Sequence, residues 1–199
     1  MLADMYLWQG DYQRCIDYCD LIIDYKKGQY DELLQEYSSF VRNVELYGDF
    51  PLISEAPNGS SYAGTSFSEI FGKGNSFESI FELIFVDKET RENLLTKDLF
   101  GAYNSSNVGQ LAACPYLNAQ VAEGSNSYFK RTDCRAFENM SGESTVSIRK
   151  YVVEGAEFRT NTTTGTAPTV TEYRRTANVA NWIVYRLTDV MLMKAEAEV

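Results

Sequence analysis

The chain has 199 residues, 44% of them hydrophobic, enough to bury a core in one large domain or a domain and a half. Its formal net charge of −10 and pI near 4.6 argue against a nucleic-acid partner, because phosphate binding needs Lys and Arg clustered on one face. Histidine is absent, which excludes Ser-His-Asp and Cys-His catalysis and His-containing zinc sites within these residues.

Met1 to Gln9 reads as the tail of a helix, Gly10 as its stop and Asp11 as the N-cap of a second helix running from Tyr12 to about Lys26. The apolar positions Tyr12, Cys15, Ile16, Cys19, Ile22 and Ile23 recur at spacings of three and four, as one buried helix face requires. So short a connection predicts an αα-hairpin. Gly10-Asp11-Tyr12 followed by Cys15-Ile16 and Tyr18 matches the turn and second helix of a tetratricopeptide-type repeat, with Cys15 where helices approach closely. One repeat has no mate for its apolar face, and the helix after Leu187 is the expected neighbour.

Asp31 to Phe40 suits a short helix, and Gly48, Pro51, Pro57, Gly59 and Gly64 mark turns and loops through Tyr62. Asn75 to Phe85 alternates, with Ile80, Glu82 and Ile84 set against Ser79, Phe81, Leu83 and Phe85, which predicts a strand. Phe100 to Phe129 is rich in Asn, Ser, Gly and Tyr, contains Pro115 and has no sustained period, so a long loop region is expected. A charged turn follows at Lys130 to Arg135, a second strand at Val146 to Val153, and an exposed polar loop at Asn161 to Thr171.

Trp182 to Val199 ends the chain in a helical pattern. On a helical wheel, Arg186, Asp189, Met193 and Glu196 share one arc, while Leu187, Val190, Met191, Leu192, Ala195, Ala197 and Val199 take most of the rest. A helix so broadly apolar is expected to be covered on two sides. Nothing after it supplies the second cover, so the reading predicts a piece of a longer protein.

Cys15 and Cys19 lie one turn apart on one face, where a regular helix does not bridge them. With Cys114 and Cys134 they read as core or near-core thiols. Trp8 and Trp182 abut helices and read as packing residues. Gly72-Lys73-Gly74-Asn75 lacks the Lys-Ser/Thr and the strand-helix context of a phosphate loop. No run approaches the roughly 20 apolar residues of a membrane span, and the N-terminus lacks the basic region of a signal peptide.

Tyr185 to Ala197, YRLTDVMLMKAEA, and Asn75 to Phe85, NSFESIFELIF, are long and correctly ordered matches to segments of one family; the helical stretch Met1 to Asp24 and Asp133-Cys134-Arg135 add to them. The chain thereby resembles the SusD/RagB-like nutrient-binding outer-membrane lipoproteins of Bacteroidetes. The resemblance implies a mainly α fold with short β-strands: tetratricopeptide-like helical repeats plus a loop-rich α/β insertion, in a SusD-like α-α superhelix. It makes residues 1–199 a single partial domain, with a repeat hairpin at 1–27, a loop-rich insertion with strands at 28–180, and the start of the next repeat helix at 181–199.

By the same resemblance the protein is a non-catalytic, cell-surface glycan- or nutrient-binding protein that delivers oligosaccharide to a TonB-dependent, SusC-like transporter. It implies the extracellular face of the outer membrane, with membrane contact only through a lipid anchor absent from this chain, and no cofactor, metal or nucleic acid. Sugar binding needs aromatic faces for ring C–H surface and amides for hydroxyls. In this family the segment between the ESIF-type strand and the D-x-R turn often contributes to the ligand face, so Tyr103, Asn104, Tyr116, Asn118 and Tyr128 are the expected glycan-binding group. A helical-repeat scaffold for protein partners is the alternative. A glycoside hydrolase, which needs a spaced carboxylate pair, is a further one, although nothing in the sequence selects such a pair.

Overall fold

The structure, a computed structural model, describes residues 1–36, 44–54, 57–58, 61–62, 65–88, 91–101, 109–112, 114, 148–159 and 169–199. The chain divides into two compact units. Met1–Ser54, Asn75–Glu82 and Ile183–Val199 form the first; Glu55–Gly74 and Leu83–Trp182 form the second.

Unit 1 is built on α1 (Leu2–Gln9), α2 (Tyr12–Glu36) and the closing helix α5 (Leu187–Ala197). Gly10 ends α1 at φ 74°, and two backbone bonds, Gly10 N–H to Leu7 O and Asp11 N–H to Tyr6 O, satisfy the last carbonyls. Asp11 then accepts from the Arg14 N–H at 3.3 Å as the cap of α2. The hairpin expected from Gly10-Asp11 is therefore present. Its core is Ala3, Cys15, Cys19 and Ile23 packed with Leu187, Val190, Met193 and Ala197 of α5, so the closing helix does find its mate in α1 and α2.

Three expectations about these helices fail. First, α2 runs on through Gly28 to Glu36; Gly28 is a tolerated interior glycine with open space around it, and residues 37–40 of the expected short helix lie outside the described residues. Second, the polar arc of α5 is misplaced: Met193, assigned to it, is buried, while Leu192 is 64% exposed and Ala195 and Val199 are exposed as well. The stripe Leu187, Val190, Met193 and Ala197 faces the hairpin, so the geometry of the contact outranks the width of the apolar arc. Third, Trp8 is no packing residue. It is 86% exposed, beside Leu2 and Met5 on the outer face of α1.

Unit 1 also holds a hairpin of β1 (Val44–Tyr47) and β2 (Phe50–Ile53), whose two-residue turn places Gly48 at φ 65°. This segment was expected to be turns and loops only. The strand expected from Asn75 to Phe85 is β5 (Ser79–Leu83), and it pairs with β8 (Trp182–Arg186). Ile80 faces the core while Phe81 is half exposed.

Unit 2 centres on a four-stranded sheet in the order β3 (Pro57–Asn58), β4 (Ser61–Tyr62), β6 (Val153–Arg159) and β7 (Thr169–Arg174), with antiparallel pairings. A short helix α3 (Thr65–Phe67) runs into a π-helical segment, Ser68–Lys73, which packs on β6. α4 (Leu94–Phe100) was not foreseen; Asn93 caps it, accepting from Thr96 N–H at 3.2 Å and donating to Ala180 O at 2.8 Å. The second strand begins only at Val153, later than the alternation from Val146 suggested. Arg149 O draws back the N–H groups of Val152 and Val153 at 2.9 and 3.2 Å, turning the chain first. The polar stretch ends in strand from Thr169, because its β-branched residues pair with β6; the rest of that expected loop, Asn161 to Pro168, lies outside the described residues. Cys114 is exposed rather than a core thiol.

Candidate functional site

The five residues expected to bind glycan all lie outside the described residues: Tyr103 and Asn104 in 102–108, and Tyr116, Asn118 and Tyr128 in 115–147. Asp133-Cys134-Arg135 falls there too. The described residues on either side of these segments belong to unit 2.

Gly101, Gln110 and Leu111 are all bonded to the C-terminal end of α4. Gly101 N–H donates to Lys97 O at 2.9 Å, while Gln110 and Leu111 N–H donate to Asp98 O and Leu99 O at 2.9 Å each. Gly101 sits at φ 105°, open to glycine alone. At Gly109 an added Cβ would lie 2.4 Å from the Leu99 carbonyl, so only glycine lets the chain return so close to the helix.

A turn precedes β6. Tyr151 adopts φ 70° there, a conformation that costs a non-glycine residue about 1–3 kcal/mol. The surroundings over-determine it. Its ring stacks on Trp182 with centroids 5.4 Å apart and 19° between planes, meets Phe71 edge-on at 5.9 Å and touches Phe100 at 6.0 Å. The Lys150 ammonium lies 4.3 Å from the Phe71 ring centroid and 5.4 Å from that of Tyr151, within cation–π range. Phe100 closes α4 and Tyr151 lies in the turn before β6, so their contact joins these two elements of unit 2.

Arg175 locks this arrangement from below. It is 7% exposed and donates Nη2 to Phe71 O at 2.6 Å and Gly72 O at 2.7 Å, and Nε to Tyr151 O at 3.2 Å. Three carbonyls thus take up donors of a guanidinium that is hard to desolvate. Burial pushes its pKa down, opposed by the nearby Glu154 charge. Sequence reading passed over Tyr151 and Arg175. Their signal is weak, since positive φ at a tyrosine follows from the turn geometry rather than from residue type.

Unit 1 carries a separate polar cluster. Glu78, 3% exposed, accepts from Ile53 N–H at 2.9 Å and Thr188 Oγ1 at 3.0 Å, with Arg186 Nη1 at 3.8 Å. Lys26 donates to Phe77 O and Ser79 O at 2.8 and 2.9 Å, and burial lowers its pKa against the pull of Glu78. These bonds tie α2, β2, β5 and α5 together, so the cluster holds structure. Among the described residues no group of three His, Cys, Asp or Glu side chains is placed to hold a metal ion, and no helix is long and apolar enough to cross a membrane.

The glycine cluster has a packing role. A Cβ on Gly72 would lie 1.8 Å from Glu154 O of β6, and one on Gly74, at φ 71°, would lie 2.4 Å from the Asn181 amide nitrogen.

Compared with known proteins, the chain matches the model of the SusD family over residues 78–199. No curated protein and no solved structure gives a match. The matched residues make up more than half of the chain and include β5, β8 and α5, the elements that carry the ESIF and YRLTDVMLMKAEA segments. The chain belongs to the SusD family.

Proposed function

We propose that this protein is a non-catalytic binding protein for a glycan or other nutrient, acting at the extracellular face of the outer membrane. It hands oligosaccharide to a SusC-like, TonB-dependent transporter. The family match over residues 78–199 carries the reading, and all five expected glycan-binding residues fall within it. The α1–α2 hairpin is one tetratricopeptide-like repeat on this reading, and α5 begins the next in an α-α superhelix.

Native gels cast with a soluble polysaccharide test the proposal. Retardation without release of new reducing ends over hours is the expected result, and new reducing ends would point to a hydrolase instead. The exposed stripe of Leu2, Met5 and Trp8 on α1 favours one second reading, a scaffold for protein partners. Binding to purified transporter with no glycan affinity would establish that reading.

A further inference from the structure

We draw no further inference here: the strongest candidate, the outer face of α2 where Leu21 and Tyr25 lie exposed among the carboxylates of Asp17, Asp24, Asp31 and Glu32, is a small apolar patch on an acidic helix face, and nothing in the structure shows what covers it.

Discussion

A methyl group added at Gly72 would meet the backbone oxygen of Glu154, which has no free rotation with which to move aside. Gly72→Ala should therefore destabilise the protein by at least the 1–3 kcal/mol, roughly, of a typical overpacked core, read as a lower denaturation midpoint; an unchanged midpoint would show that the π-helical segment shifts freely on β6. The buried thiols make a second residue-scale case. Burial, reinforced by Cys15 and Asp20, pushes the Cys19 thiol up to about 12. A raised thiol pKa means that the fold favours the neutral form. Its contribution is complete below the ordinary thiol pKa of about 9 and falls as pH rises from there towards 12. In a Cys114→Ser/Cys134→Ser background, neither remaining thiol should react with a disulfide reagent at pH 8 until denaturant is added, and chemical stability should drop across that alkaline window. Rapid labelling in the native state would refute the burial of the pair.

Among the elements, α2 has an evident weakness. Gly28 lies inside the helix, exposed, with nothing within 4 Å of an added Cβ. Gly28→Ala should raise stability by about 0.4–1 kcal/mol by lowering the entropy of the unfolded chain, measurable as a higher midpoint in urea. The strand β5 depends on Glu78 in the opposite way. Glu78→Ala leaves the Ile53 N–H without its acceptor, at a cost of about 1–3 kcal/mol. Glu78→Gln keeps an acceptor there and should lose much less. Equal losses in the two variants would show that charge, through Arg186, matters more than the hydrogen bonds.

At the scale of the molecule, a net charge of −10 coexists with large exposed apolar side chains on helix faces, including Leu2, Met5 and Trp8 on α1, Leu21 and Tyr25 on α2, and Leu192 on α5. Exposed apolar patches of this kind promote association. The chain should self-associate with rising concentration in sedimentation velocity, and Trp8→Gln combined with Leu192→Gln should shift the distribution towards monomer. A concentration-independent monomer in the parent chain would show that charge repulsion suffices.

The sequence alone determined the features that local chemistry controls. Gly10 and Asp11 specify a helix stop and an N-cap within a few residues, the spacing of Cys15, Cys19 and Ile23 specifies a buried face, and the ESIF and YRLTDVMLMKAEA segments specify the family. It passed over the β1–β2 hairpin and α4. Pro51 in β2 reads as a breaker, and the cap at Asn93 is secured through Ala180, which is distant in sequence. The candidate glycan residues were chosen by side-chain chemistry and lie outside the described residues. Only tertiary structure decided which side of α5 is buried, that Trp8 faces outward, and that Tyr151 and Arg175 form a node. Each of these depends on which surface happens to lie opposite, and a one-dimensional pattern does not carry that information.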